Sequence, residues 1–338
     1  MTTNTWLGID IAKDTFETHL LSGARVYRGT FENSPAGYRK LDHWLKKKAR
    51  PAVHACLEAT GRYGEGVAEH LHAAGHIVSI INPAQSKAFG QATLRRTKTD
   101  RTDAALLAEF CRTQAPAPWQ PRPTEMLALR ALVRRRESLL QLRQQEANRL
   151  ASGEQIALVQ ASLEKMLALL TDELAGIEQA IAAHVAAHPA VQCQHALLDS
   201  IPGIGHLTAA ALLAEIDFSA YPSARPLAAH AGLTPRQRQS GTSIHGRPHI
   251  SKQGPSHLRR ILFFPALVAM RHNPAVRDLA ERLRDRHKAK MAIVCAAMRK
   301  LLHLAYGVLK TGKPFDPDYQ PARAAKPLPA PDQQLVPA

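Results

Sequence analysis

Near its start the chain carries the stretch GIDIAK, residues 8–13. The alternation of side chains predicts a strand over residues 6–11, in which Gly8 and Asp10 share one face. The other face carries three apolar side chains, Leu7, Ile9 and Ile11, and is therefore expected to be buried. Asp10 then projects from a rigid platform.

Three further acidic residues complete a set with Asp10. A second strand over residues 52–58 ends at Glu58, because the Ala-Thr-Gly that follows is a strand breaker. Asp100 and Asp103 begin an apolar-periodic helix and share one face of it. Taken singly, each acid is also typical of a turn, a helix cap or a solvated helix face. Taken together, they are the converging carboxylates that Mg²⁺ or Mn²⁺ needs, and phosphoryl transfer on nucleic acids uses such ions about 4 Å apart.

The composition predicts a polyanionic partner. The 338 residues include 44 Lys or Arg against 28 Asp or Glu, which gives a net charge of +16 and a pI near 10.0. A generally basic protein is the plain alternative, but the basic residues cluster in particular segments, which favours nucleic acid. With 5% aromatic residues, extensive stacking of bases on exposed rings is not expected.

Targeting signals and cysteine spacing indicate a cytosolic protein. The N-terminus has no apolar signal-peptide region, and the sequence contains no run of 18 apolar residues. The four cysteines lack the CxxC spacing of zinc sites and show no disulfide framework. We therefore expect reduced thiols, no membrane partner and a cytoplasmic location.

The order of predicted elements indicates the fold of the first domain, residues 1–114. A meander of three strands comes first, and helices and strands then alternate up to the helix that carries Asp100 and Asp103. The strands are predicted at residues 6–11, 15–21, 25–31, 52–58 and 77–81, and the helices at 34–48 and 63–74. This α/β order is that of the ribonuclease H-like nuclease fold.

The rest of the chain divides into four segments. A Pro-rich linker is expected at residues 115–124 and a disordered tail at 312–338. Between them we predict a helical coiled-coil region, residues 125–188, broken into a hairpin at Gly153, and a mainly α domain, residues 189–311. The hairpin has two equally weighted interpretations, which are oligomerisation and packing on itself.

The mainly α domain, residues 189–311, contains a candidate phosphate-binding turn near its start. The sequence IPGIG, residues 201–205, precedes an apolar helix and resembles a helix-hairpin-helix motif. Gly203 and Gly205 would let backbone N–H groups approach a phosphate at the start of that helix. An ordinary helix-helix turn is the alternative.

A basic segment follows this turn. Residues 236–260 contain six Lys or Arg and no acid, in a Gly- and Ser-rich context that cannot be core. The candidate phosphate contacts are Arg236, Arg238, Arg247, Lys252, Arg259 and Arg260. Ser240 and Ser243 lie among these cations, where a serine hydroxyl can attack phosphorus. The same residues are also typical of an ordinary flexible turn.

At this point the chain resembles a known family, the DEDD transposases of bacterial insertion sequences of the one-ten type, which are bridge-RNA-guided recombinases. The resemblance covers nearly the whole chain and rests on motifs in a fixed order: GIDIAK, LEATG, INP, KTDRTDA, IPGIG, AGLTPR, SGTSIHGR and SKQG.

The resemblance implies a RuvC-like domain in which Asp10, Glu58, Asp100 and Asp103 bind Mg²⁺. It also implies a C-terminal domain in which Ser240 forms a covalent link to a DNA phosphate. The implied partners are donor and target DNA, a guide RNA and further copies of the chain, as a dimer or tetramer. The resemblance also implies a bacterial host and association with the nucleoid. The neighbouring hydroxyls of Thr242 and Ser243 are the competing nucleophiles.

Three other functions fit parts of the sequence. A structure-selective resolvase would use the same acids to hydrolyse DNA junctions with water. A non-enzymatic protein would bind nucleic acid through the IPGIG turn and the basic segment. An actin-like or sugar-kinase ATPase would share the Gly-Ile-Asp strand, but the chain has no second Gly-rich phosphate loop, so this function ranks last.

Overall fold

The computed structural model describes residues 5–48, 52–59, 61–93, 100–153, 156–236, 239–240, 244–245 and 249–318. The chain divides into two compact units, Met1–Pro123 and Thr124–Ala338. Each unit is described by itself.

The first unit is built on a five-stranded sheet with the order β3-β2-β1-β4-β5. The first three strands form an antiparallel meander, and β4 and β5 run parallel to β1. The strands are β1 (Thr5–Ile11), β2 (Thr15–Ser22), β3 (Arg25–Glu32), β4 (His54–Glu58) and β5 (Ile77–Ile81). This topology agrees with the ribonuclease H-like fold expected from the sequence.

Four helices of this unit connect or flank the strands. They are α1 (Pro35–Lys48), α2 (Glu65–Ala73), α3 (Pro83–Ala92) and α4 (Asp100–Gln114). A short 3₁₀ turn, Gly61–Gly64, precedes α2, so this helix begins two residues later than the sequence predicts. Helix α3 was not among the predicted elements. It begins at a capping box in which the Asn82 side chain accepts a hydrogen bond from the Ala84 N–H.

The two faces of β1 are buried in different ways. Leu7 and Ile9 are fully buried in a core with Leu41 of α1 and Leu71 of α2, as the predicted alternation requires. The opposite face of the sheet contacts α4, which contributes Leu107, Phe110 and Cys111 to a smaller core. This second face carries Asp10.

The Pro-rich segment is held against the edge of this sheet. Ser79 Oγ of β5 lies 3.0 Å from the Pro116 carbonyl oxygen and 2.9 Å from that of Ala117, and the Trp119 N–H donates to the Val78 carbonyl. The division between the units follows at Pro123. Three residues of the expected linker, Pro116, Ala117 and Trp119, are thus bonded into the first unit.

The second unit begins with a helical hairpin of α5 (Thr124–Ala151) and α6 (Ala157–Ala187). Leu139 packs with Leu170 and Leu174 near its middle. In the predicted coiled-coil region, the apolar residues Ile156 and Leu170 are two heptads apart; Leu170 is buried, whereas Ile156 is 62% exposed.

The remaining helices form the main core of the second unit together with the base of the hairpin. They are α7 (Pro189–Asp199), α8 (His206–Glu215), α9 (Ala224–His230), α10 (Ser256–His272), α11 (Pro274–Asp285) and α12 (Lys290–Thr311). Four two-residue strands lie between α9 and α10, namely β6 (Pro235–Arg236), β7 (Gln239–Ser240), β8 (Ile244–His245) and β9 (His249–Ile250). The expected tail starts at residue 312, yet Phe315 packs against this core; residues 319–338 of that tail lie outside the described residues.

A buried carboxylate joins three helices of this core. Glu215, at the end of α8, accepts hydrogen bonds from Arg134 Nε at 2.8 Å and Nη2 at 3.0 Å, and His257 Nε2 of α10 lies 2.9 Å from it. Burial by itself raises the pKa of Glu215, but the hydrogen bonds from His257 and Arg134 outweigh it and hold the pKa at about 2. Glu215 is therefore ionised and fixes α5, α8 and α10 to one another.

Within the described ranges, α12 alone is long and apolar enough by composition to cross a membrane, with a mean hydropathy of 1.5. Its residues Ile293, Ala297, Leu301 and Ala305 are buried in the core of the second unit, which is the pattern of a core helix.

Candidate catalytic site

The packing of α4 against β1 brings the predicted acids together. A Cβ atom built on Gly8 would lie 2.0 Å from the Ala104 carbonyl oxygen and 2.3 Å from the Ala108 nitrogen. The backbone of α4 therefore crosses directly over Gly8, in space that any other residue would fill. Because Asp100 and Asp103 form the first turn of α4, this crossing carries both carboxylates toward Asp10.

Glu58 enters the same site from the end of β4. Its carboxylate Oε1 accepts a hydrogen bond from Ser86 Oγ at 2.5 Å, and the same hydroxyl lies 2.9 Å from the Pro83 carbonyl oxygen. Ser86 is on α3 and is 1% exposed. Ser86 is not among the site residues predicted from the sequence. The Asn82-Pro83 pair, a strong helix-start signal, was the feature from which a helix behind Glu58 could have been inferred.

Burial and neighbouring negative charges act together on the pKa of Asp10. It is raised from 3.8 to about 6, first by burial and then by the negative charges of Asp103, Asp100 and Glu58, while the Ile11 backbone N–H acts in the opposite direction. The four carboxylates thus form a local concentration of negative charge in a chain of net charge +16.

The donor chemistry of this site fits a hard divalent cation. Carboxylate oxygens are the ligands of Mg²⁺ and Mn²⁺, and Mg²⁺ keeps several waters when it binds. In the part of the chain that the structure describes, no group of three or more His, Cys, Asp or Glu side chains has the close spacing of a formed metal site. The acids share one electrostatic site without forming a closed coordination shell.

Ser240 lies on a narrow hairpin in the second unit. Strands β6 and β9 pair antiparallel at its base, with Pro235 opposite Ile250. Strands β7 and β8 pair farther out, with Ser240 opposite Ile244. Of Ser240 only the backbone is described. Four of the predicted residues, Arg238, Thr242, Ser243 and Arg247, lie outside the described residues.

The base of this hairpin is tightly built. Gly232, Lys252 and Gly254 all have positive φ, and a Cβ on Gly254 would lie 1.8 Å from the His230 carbonyl oxygen. Arg259 Nη1 donates to the carbonyl oxygens of Ala231 and Gly254, each at 3.1 Å. The Ala-Gly-Leu and Ser-Lys-Gln-Gly motifs are thus fastened to each other, and part of the Arg259 guanidinium is used for this purpose.

The other predicted phosphate contacts have different surroundings. Arg260 Nη2 pairs with Glu137 Oε1 at 2.8 Å, and Arg236 is exposed on β6. A Cβ on Gly203, whose φ is +105°, would lie 2.7 Å from the Ala269 Cβ, whereas one on Gly205 would meet nothing within 4 Å. Gly203 is therefore explained by its contact with α10. Gly205, the N-cap of α8, has open space beside it.

Two transposase family models match two different segments of the chain. A transposase family model of the IS110 type matches residues 7–155. A second model, described as "Transposase IS116/IS110/IS902 family", matches residues 195–281. The first covers the sheet and its acids, and the second covers the IPGIG turn and the Ser240 hairpin.

Named relatives match over most of their length. The pilin gene-inverting protein of Moraxella bovis is 35% identical over 316 residues, which cover 92% of this chain and 98% of the relative. The transposase for insertion sequence element IS1328 of Yersinia enterocolitica is 26% identical, with the same coverage of 92% and 98%. The solved structure titled "T. thermophilus RuvC in complex with Holliday junction substrate" matches 34% of this chain and 99% of its own at 15% identity, with a TM-score of 0.27.

Similarity to transposases thus extends along nearly all of the chain, through both of its units. The chain belongs to the IS110 family of transposases.

Proposed function

We propose that this transposase cleaves and rejoins DNA strands with two sets of groups, the acidic tetrad of the first unit and Ser240 of the second. The tetrad consists of Asp10, Glu58, Asp100 and Asp103. The observation that carries the proposal is the packing of α4 across Gly8, which brings Asp100 and Asp103 of its first turn toward Asp10. The raised pKa of Asp10, caused first by burial and then by the charges of Asp103, Asp100 and Glu58, supports this arrangement.

The tetrad would hold Mg²⁺ or Mn²⁺. When bound, the ion supplies charge neutralisation at the phosphate and orientation of its oxygens. Ser86 keeps the Glu58 carboxylate in place by donating a hydrogen bond to Oε1, and α4 keeps Asp100 and Asp103 beside Asp10 through its contact with Gly8.

Ser240 would be the nucleophile. Its Oγ attacks the phosphorus, a serine–phosphate bond forms, and the bond to one bridging oxygen of the DNA breaks. The departing DNA oxygen gains a proton and the serine loses one, so the step is balanced. In the reverse step a hydroxyl of another strand attacks the phosphoserine, which restores Ser240 and closes the new phosphodiester without hydrolysis.

The partners of this reaction would be donor and target DNA, paired through a guide RNA as the family resemblance implies. The net charge of +16 supports nucleic acid as the partner. A dimer or tetramer is supported by exposed apolar side chains on the α5–α6 hairpin, where Leu158 is 81% and Leu169 is 55% exposed.

The test uses protein purified from a host that also expresses the non-coding DNA flanking its gene. Co-purifying RNA is sequenced, and the complex is incubated with end-labelled donor and target duplexes in Mg²⁺. We expect a discrete RNA and a protein–DNA adduct that protease digestion removes. Ser240→Ala should abolish the adduct, whereas Thr242→Ala and Ser243→Ala should retain it.

Asp10→Asn should abolish cleavage while DNA binding persists, and Asp14→Asn, a change at an exposed acid four residues away, should preserve both. Free DNA ends without attached protein would contradict the role of Ser240 and identify a hydrolytic resolvase. Binding without Mg²⁺-dependent cleavage would identify a non-enzymatic binding protein.

A further inference from the structure

The second unit contains a cavity of about 850 Å³ that the reaction above does not use. It lies between α11, α12 and the base of the Ser240 hairpin, and Pro235, His249 and Ile250 of that hairpin belong to its wall. Its volume is within the range of ~300–1,000 Å³ that is usual for ligand pockets.

The interior of this cavity is apolar. Leu233, Ile250, Leu279 and Leu283 contribute side chains to it, and α12 contributes the small residues Ala292 and Ala296. Met291, also in the wall, is 59% exposed. A flat apolar group of a ligand would therefore remove both its own surface and that of the cavity from water.

The rim of the cavity is cationic. Arg225, Lys252, Lys288, Arg299 and Lys300 all border it, and no Asp or Glu is among the described residues that do so. The pKa of His303 in the same wall is lowered, first by burial and then by the positive charges of Arg299, Lys300 and Arg225. These cations therefore surround one small region instead of being scattered over the surface.

We propose that this cavity binds an unstacked nucleotide of a single-stranded segment of DNA or RNA. The base would enter the apolar interior, and the flanking phosphates would pair with Arg225, Arg299 and Lys300. Two wall residues, His249 and His303, have rings on which a base can stack. An acidic peptide would also be attracted by the cations, but the position beside the hairpin of Ser240 favours a strand that is being cut or guided.

Cys295 provides a direct probe of occupancy, because it belongs to the cavity wall and is half-buried. The exposed thiol of Cys193 is removed by Cys193→Ser, while Cys56 and Cys111 are buried. In this background we expect a 12-nucleotide single strand to slow alkylation of Cys295 by iodoacetamide at least tenfold. Parallel DNA and RNA strands of the same sequence would show which polymer is preferred.

A strand with abasic residues keeps the phosphates but lacks bases, and we expect it to give little protection. Inorganic polyphosphate should behave like the abasic strand. Equal protection by the abasic strand would overturn the proposal, because it would show that phosphate alone occupies the site. Protection by an acidic peptide but not by the oligonucleotides would overturn it in favour of a protein partner.

Two variants test the site through affinity. Ala296→Trp should fill the cavity and weaken binding of the single strand at least tenfold, while Ala186→Trp, on an exposed position of α6, should not. Lys300→Gln should lower the slope of log affinity against log salt by about 1, while Lys165→Gln, an exposed residue of α6, should leave it unchanged. The proposal would be contradicted by two results together. The single strand would bind Ala296→Trp as tightly as wild type, and Cys295 of the Cys193→Ser protein would stay fully reactive at a saturating concentration of the strand.

The inference rests on the proposed function only in taking nucleic acid as the partner. Binding and alkylation are measured without Mg²⁺, guide RNA or cleavage. Failure of the single strand to bind the cavity would not affect the test of Ser240 by adduct formation. Absence of the adduct would not affect the test of the cavity by binding.

Discussion

Gly8 and Ala104 are in direct backbone contact, since a Cβ atom on Gly8 would lie 2.0 Å from the Ala104 carbonyl oxygen. This contact sets the distance between the central strand and the helix that carries two of the four acids.

Gly8→Ala is therefore expected to destabilise the first unit by more than about 3 kcal/mol, because the obstructing atoms belong to backbone. Urea denaturation followed by circular dichroism measures this change. Gly90→Ala is the matched control: its Cβ would meet Leu106 Cδ2 at an ordinary 3.4 Å, so stability should hold or rise. A Gly8→Ala protein as stable as wild type would show that α4 can shift away from β1.

Asp10→Asn should stabilise the metal-free protein at pH 7 by about 1 to 3 kcal/mol while it abolishes cleavage. The native pKa of Asp10 is raised, so the native state binds this proton more tightly than the unfolded state does, and stability falls as pH rises from 3.8 through about 6. The difference in Tm between variant and wild type should therefore be small at pH 4, grow to pH 6 and then level off.

Mg²⁺ should raise the Tm of wild type more than that of Asp10→Asn, because the ion compensates the repulsion that Asp10 experiences. Asp14→Asn should follow wild type in both experiments. Equal melting of wild type and Asp10→Asn across this pH range would contradict the electrostatic coupling of the four acids.

Ser86→Ala should raise the Mg²⁺ concentration needed for half-maximal cleavage by about 10- to 100-fold, the usual effect of losing a group that orients a ligand. Ser86 acts through Glu58 and is a positioning residue. Ser34→Ala, which removes a hydrogen bond to the Gly37 N–H at the start of α1, tests whether lost stability alone produces the effect. It should leave the Mg²⁺ requirement unchanged.

Glu215→Gln should destabilise the second unit by about 3 kcal/mol at pH 7, because Arg134 and His257 lose the charge with which they pair. Since the native pKa of Glu215 is depressed, its contribution is complete above the unfolded value of 4.5 and is lost as pH falls toward about 2. Chemical denaturation at pH 7 and pH 2 should give a difference only at pH 7. Glu178 pairs with Arg136 and its side chain is 37% exposed. Glu178→Gln should therefore lower the free energy of unfolding by less than about 1 kcal/mol.

Gly203→Ala and Gly205→Ala should separate folding from nucleic-acid binding in the IPGIG turn. The first places a methyl group 2.7 Å from Ala269 at a φ of +105°, so it should lower the Tm. The methyl group of the second would meet no atom within 4 Å, so the Gly205→Ala protein should fold normally. If the N-terminus of α8 contacts phosphate, Gly205→Ala should weaken DNA binding without changing the Tm; unchanged binding would leave the turn a structural one.

The strands of the first unit were predictable because their signals are local. Residues 15–21 and 25–31 alternate around a turn at Gly23, and the observed β2 and β3 each extend one residue further. Helix α3 was not predicted, because Asn82 and Pro83 supported only the family resemblance, although such a pair also marks a helix start. Ser86 could not be assigned to Glu58, since the contact between them depends on how α3 packs.

The α5–α6 hairpin shows a second limit. Heptad spacing marks which face of α6 is apolar, but burial depends on what covers that face. Leu170 has a partner in Leu139, whereas Met166, four residues earlier, is 45% exposed. The heptad spacing therefore identifies the apolar face of α6 but not how far along the helix that face is buried.

The hairpin of Ser240 has a mechanical consequence. At its base, Arg259 donates to the carbonyl oxygens of Ala231 and Gly254, while Ser240 lies in the separate pair of β7 with β8. If DNA is joined to Ser240 as we propose, it would be attached to a ladder of only two residue pairs. Tension on that DNA would then act on a few strand-to-strand hydrogen bonds before it acted on the helical core.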